Sequence, residues 1–247
     1  MAGAPAALVS ALQGRPIERP LRAPLLAALA AEVEELELRD FLADAGKRSR
    51  ILAGLASAMP IDVLVLDSGS GWDTEAGGVD LIIDLLSRVR AVVPASVSLA
   101  VTLTGPVLAT ARAVAEAGAG VVIVREEGHV SVDSAAYLAA TAPLWRTLQF
   151  FRSVGVLQVV GAADRWADVL AGAGPFLPVF NAAESPGAAA AVAAADRAYG
   201  LGLPASLSPP PTGPLTPGRC ALLTHDRDLA GQVPVREAAG VVAAMAL

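Results

Sequence analysis

The chain has one cysteine, one lysine and two histidines in 247 residues, and aromatic side chains make up only 4% of it. A single thiol, Cys220, cannot close an internal disulfide and cannot supply a metal site built from several thiolates. Apolar runs long enough to cross a bilayer are missing, and so is the charged start with a hydrophobic core that marks a secretory signal. The expectation is a soluble, cytoplasmic protein with no membrane partner. Lysine is nearly absent against seventeen arginines, the formal net charge is −6, and no basic stripe gathers the arginines. Such a surface repels phosphate backbones, so no nucleic acid is expected as a partner.

What is present is apolar. Hydrophobic residues make up 54% of the chain and charged residues 17%, a balance that excludes global disorder. The abundant alanine, as in the run Ala188 to Ala195, marks good helix formers and nothing more. The length suits one large domain and matches the usual size of an eight-stranded α/β barrel.

Periodicity alternates along the chain. A helix over about Ala6 to Gln13 leads into a segment with Pro16, Pro20 and Pro24, expected to form an extended N-terminal arm over residues 1–24. Amphipathic helices are expected from Leu25 to Leu38, with an acidic outer face, and from Asp40 to Met59. Ile61 to Leu66 is a short β-branched run bounded by turn residues, hence a buried strand. Then come helix Val79 to Val92, strand Val97 to Thr102, helix Val107 to Ala117, strand Gly120 to Val124, helix Asp133 to Phe151 and strand Val156 to Val160. Helix Asp164 to Ala173, strand Leu177 to Phe180, helix Gly187 to Tyr199, a short strand Ala205 to Leu207, a last strand from Cys220 and a closing helix Pro234 to Met245 complete the series. Strands alternating with helices predict a parallel sheet, and six to eight of them favour closure into a (β/α)8 TIM-type barrel in a single domain.

Ligands in parallel α/β folds sit beyond the carboxyl ends of the strands, so polar residues at those ends are the candidate site. The last strand changes from Cys220-Ala-Leu-Leu to Thr224, His225, Asp226, Arg227 and Asp228, and is the leading candidate. A solvated loop accounts for any one of these charges about as well. Strand Ile61 to Leu66 exits through Asp67, Ser68 and Trp72 on a glycine-rich loop that lacks the lysine of a phosphate-binding loop. Strand Gly120 to Val124 ends at Arg125, and Leu177 to Phe180 ends at Asn181. Gln158 is the one polar residue inside its strand and must find partners in the core or at a ligand, the core being the commoner case. Trp145, Trp166 and Cys220 are expected to pack as core residues. His129 is expected on a surface loop. The large apolar fraction is compatible with a homodimer.

Several segments, in order along the chain, resemble the uroporphyrinogen decarboxylase superfamily, which also contains corrinoid-linked methyltransferases. They are Ala11 to Pro20 (A-L-Q-G-R-P-I-E-R-P), Leu103 to Pro106 (L-T-G-P), the strand V-L-Q-V-V-G, and L-L-T-H-D-R-D-L with V-P-V-R-E at Val233 to Glu237. The resemblance implies an α/β barrel, and in its decarboxylase branch a polycarboxylate tetrapyrrole as substrate, so a small carboxylate or tetrapyrrole-like anion is expected here. In the methyltransferase branch, a histidine, a cysteine and a second cysteine hold zinc; the matching positions here are Gln158, Val160 and Arg227, which are not such ligands. The expectation is therefore a metal-free, cofactor-free carbon–carbon lyase or decarboxylase for a small anionic molecule. His225, Asp67 and Arg227 are its expected catalytic residues, and Arg125, Gln158, Asn181, Asp228, Ser68 and Trp72 its expected binding residues. A guanidinium at Arg227 would grip a carboxylate in two-point fashion. The alternatives are a zinc-independent methyltransferase-like protein using a corrinoid or another methyl donor, and a barrel without catalysis that binds a partner. The decarboxylase branch's arginine-bearing N-terminal motif is absent.

Overall fold

The computed structural model describes residues 4–67, 78–203, 213–226 and 235–245. Eight parallel strands run in the order β1-β8-β7-β6-β5-β4-β3-β2. They are β1 (Leu21–Ala23), β2 (Val63–Val65), β3 (Ser98–Thr104), β4 (Val121–Glu127), β5 (Val154–Val160), β6 (Phe176–Phe180), β7 (Tyr199–Leu203) and β8 (Cys220–His225). The helices are α1 (Ala4–Leu12), α2 (Ala27–Val33), α3 (Leu38–Ala43), α4 (Ala45–Ala58), α5 (Gly78–Val92), α6 (Leu108–Glu116), α7 (Ser134–Phe150), α8 (Ala167–Ala171), α9 (Pro186–Ala194) and α10 (Val235–Ala244). This is the (β/α)8 barrel that the alternation predicts.

The ring is nearly closed, and its seam lies between β1 and β2. Among the described residues one backbone bond crosses it, from Asp62 N to Arg22 O at 3.1 Å. The Asp62 carboxylate adds the rest: it accepts from Arg22 N at 2.9 Å and from the Arg19 guanidinium at 2.8 and 2.7 Å. Burial alone would raise the Asp62 pKa, but the bonds from Arg19 and Arg22 outweigh it and hold the carboxyl below its ordinary range.

Side chains separate by strand parity into two cores. Leu64, Leu99, Val122, Leu157, Phe176, Leu201 and Leu223 pack outward against the helices. Val63, Val65, Ala100, Ile123, Val156, Val179 and Leu222 fill the barrel, joined by Ala4, Leu8 and Ala11 of α1 as its floor. On the outer side Gly155 makes room for Trp145, whose ring carbon would lie 2.7 Å from any Cβ there. Trp145, Trp166 and Cys220 are buried, as their sequence context predicts, and burial pushes the Cys220 thiol up to about 12.

Several boundaries differ from the sequence expectation. The segment expected as an arm supplies both the barrel floor and strand β1, because three residues between Pro20 and Pro24 are enough to pair with Leu222, Leu223 and Thr224. The helix expected from Leu25 to Leu38 ends at Val33, just before Glu35 with its φ of +54°, and the one expected from Asp40 to Met59 begins at Leu38 and is broken at the extended Asp44 into α3 and α4. The helix expected to reach Tyr199 stops at Ala194, and Tyr199 to Leu203 form β7 instead; its Gly200 and Gly202 hide strand character. The strand expected at Ala205 to Leu207 lies outside the described residues.

Candidate active site at the barrel mouth

Six of the barrel's inward-facing rows change from apolar to polar at their carboxyl ends. Two residues beyond Val65, Ala100, Ile123, Val156, Val179 and Leu222 stand Asp67, Thr102, Arg125, Gln158, Asn181 and Thr224. Six strands thus place a polar side chain directly above the apolar layers, at their carboxyl ends. All six are buried except Arg125, which is half-buried. A buried polar layer costs stability unless its groups are bonded, so its bonds show what holds it together.

Most of those bonds converge on the end of β8. Arg125 of β4 donates through Nη2 to the carbonyl of Asp226 at 2.5 Å. Gln158 of β5 donates through Nε2 to the carbonyl of His225 at 3.1 Å. Asn181, at the exit of β6, donates through Nδ2 to Asp226 Oδ2 at 3.3 Å, while its own Oδ1 accepts from Ala183 N at 3.1 Å. None of β4, β5 and β6 pairs with β8. These contacts therefore reach across the barrel interior, not along the sheet.

Glycine permits the approach. A Cβ on Gly202, the β7 residue paired with Thr224, would lie 2.0 Å from Asp226 Oδ1. The carboxylate occupies the space that a β7 side chain would fill.

Across the ring, Asp67 accepts from Thr102 N through Oδ2 at 2.7 Å. Behind it lies Arg48 of α4, which is 1% exposed. Its guanidinium donates to Leu42 O at 3.3 Å and to Leu66 O. Burial lowers the Arg48 pKa to about 10, and the attraction of Asp67 opposes that shift. Two carboxylates, Asp67 and Asp226, and the guanidinium of Arg125 thus belong to the mouth, with Arg48 behind Asp67.

His225 is placed differently. Tyr199 pairs with Cys220 but Gly200 pairs with Leu222, so Ala221 is an extra residue, a β-bulge in β8. Past the bulge Leu222 packs inside and Leu223 outside. Alternation then turns Thr224 and Asp226 inward and His225 toward the helices. Its ring is 1% exposed, and burial pushes its pKa down to about 4, so the imidazole is neutral at pH 7. Its link to the mouth is its backbone carbonyl.

The structure thus brings together Asp67, Arg125, Gln158 and Asn181 from the sequence expectation, and adds Asp226, Thr102, Thr224 and Arg48. Asp226 follows from strand parity once the bulge is known; Arg48 lies on a helix and carries no such signal. Ser68, Trp72, Arg227 and Asp228 lie outside the described residues. His129 is on the surface, as expected, with its side chain 81% exposed.

A groove of about 1210 Å³ opens at the opposite end of the barrel, beside α1, Arg152 and Arg197. Its half-buried cation serves structure: Arg197 donates to the carbonyls of Leu170, Gly172, Gly174 and Phe176. The amino-terminal face of such barrels carries stability and the carboxyl-terminal face chemistry. The mouth is the better candidate.

Among the described residues no helix is long and apolar enough to cross a membrane. No protein-family profile and no curated protein matches the sequence. Solved structures do match in fold. A methyltransferase from Methanosarcina mazei superposes with a TM-score of 0.66 at 15% identity, over 99% of this chain and 98% of that one. An HpcH/HpaI aldolase from Desulfitobacterium hafniense superposes with a TM-score of 0.52 at 14% identity, over 94% and 93%. Likeness at this level of identity establishes the TIM-barrel fold.

Proposed function

We propose that the chain is a uroporphyrinogen decarboxylase-like barrel enzyme, a carbon–carbon lyase that acts on a small carboxylate at its carboxyl-terminal mouth. One observation carries this reading: the six-strand polar layer, closed by side chains that cross the barrel to the end of β8. A packed barrel needs no such layer for stability, since apolar side chains in those positions would avoid the cost of burying the Asp67 carboxylate, the Arg125 guanidinium and four neutral polar groups.

In a decarboxylation the bond to the carboxylate carbon breaks, its electron pair passes to the carbon left behind, carbon dioxide departs and that carbon takes a proton. Arg125 binds the carboxylate as its cation, and the Asn181 amide, which like Arg125 contacts Asp226, assists. Asp67 is the inward-facing group suited to carrying the proton, in preference to the neutral, helix-facing ring of His225. Arg227 is assigned as a second carboxylate clamp, with Asp228, Ser68 and Trp72 as further binding residues.

Gln158 and Val160 stand where the resembling methyltransferases carry zinc ligands, and an amide and an alkyl group do not fit that role. A zinc-independent methyl transfer is the second reading, favoured by the likeness in fold to the Methanosarcina mazei methyltransferase. The two separate by experiment. Incubation with a panel of small di- and tricarboxylates should release carbon dioxide with Arg125-dependent turnover, and Arg125→Met should abolish it while circular dichroism is unchanged. Methylcobalamin absorbance changes without carbon dioxide release would instead establish the second reading.

A further inference from the structure

The polar layer contains two buried oxygen atoms that no protein group satisfies among the described residues: Gln158 Oε1 and Thr224 Oγ1. Both residues are 1% exposed. Both share the parity of interior residues, Gln158 following Val156 and Thr224 following Leu222. Neither bonds to the other.

The orientation of the Gln158 amide is fixed by its partner. His225 O is an acceptor, so the nitrogen must face it, and a flipped amide would set two oxygens against each other. The oxygen is then left pointing into the barrel as an acceptor in need of a donor. An acceptor buried without one costs about 1–3 kcal/mol, which leucine or methionine at this position would avoid. Gln158 stands in register between Arg125 on β4 and Val179 on β6, so its oxygen and the Arg125 guanidinium face the same space.

We propose that the ligand of this mouth is a carboxylate that also carries a hydrogen-bond donor, a hydroxyl or amino group. Gln158 Oε1 accepts from that group, and the Thr224 hydroxyl is its second partner. The inference rests on the carboxylate reading above and names the substrate class more narrowly. A site with a buried acceptor rejects the analogue that lacks the donor, because binding that analogue leaves the acceptor unpaired.

Calorimetric titration of the purified full chain with matched probes tests this: malate against succinate, 3-hydroxybutyrate against butyrate, and β-alanine against propionate. The donor-bearing member of at least one pair should bind about tenfold more tightly, the value of one good hydrogen bond. In Gln158→Met the two members should bind within about twofold of each other, the loss falling on the donor-bearing one. Thr224→Val, which keeps the side-chain shape, should narrow the preference in the same direction and serves where Gln158→Met does not fold. Equal binding of both members of every pair by the unsubstituted protein overturns this inference and leaves the carboxylate reading standing. Binding of no probe overturns both.

Discussion

A methyl group on Gly202 would stand 2.0 Å from the Asp226 carboxylate oxygen, so the position of that acid at the mouth depends on the absence of a side chain on the neighbouring strand. Gly202→Ala should push Asp226 off Asn181 and destabilise the protein by about 1–3 kcal/mol, the usual cost of overpacking. Urea unfolding of the two proteins measures it; an unchanged midpoint would show that the carboxylate moves aside freely.

Arg48 holds the other side of the mouth. Removing its guanidinium strands the carbonyls of Leu42 and Leu66 and leaves Asp67 without the cation behind it. Arg48→Met should therefore cost about 1–3 kcal/mol for each buried carbonyl left without its donor. Arg48→Lys should rescue only in part, since one ammonium cannot reproduce the planar fork. Thermal unfolding of both variants would refute this if lysine restored full stability.

The buried imidazole of His225 makes stability depend on pH. Its folded pKa, about 4, lies below the ordinary 6.5 because burial disfavours the charged ring. Between those values the unfolded chain binds a proton that the folded chain does not, so stability falls as the pH drops from about 6.5 toward 4. The shift corresponds to roughly 3 kcal/mol across that window. His225→Phe should flatten the window, as urea midpoints at pH 7 and pH 4.5 would show; an equal fall in both proteins would assign the loss to other groups.

The seam between β1 and β2 depends on one carboxylate. Asp62→Ala removes the acceptor for Arg22 N and Arg19 and should cost about 1–3 kcal/mol. Its effect is local: amide hydrogen exchange should quicken in β1 before the rest of the barrel. Because the folded pKa of Asp62 is depressed, its contribution is complete above the ordinary carboxylate range and is lost as pH falls through the lower folded value. Uniform exchange across all strands would contradict a seam.

The barrel was legible because alternating apolar runs of β-branched residues and helical stripes are local patterns that do not depend on partners. Gln158 was legible as an anomaly, a polar residue in an apolar strand, but its role was not, because its partner is 67 residues away. Strand β1 was invisible for a related reason: three residues between prolines carry no period, and only the edges of β8 and the Asp62 carboxylate make them a strand.

The sequence by itself determined the parallel α/β barrel and the gathering of polar residues at the carboxyl ends of its strands. Tertiary structure decided which of them face the mouth. Counted by plain alternation from Ala221, an interior residue, Leu223 and His225 would turn inward; the bulge at Ala221, created by pairing with β7, reverses that order and presents Thr224 and Asp226. A one-residue slip in register exchanges the two faces of a strand, and register is a property of two strands together, which no reading of one of them contains.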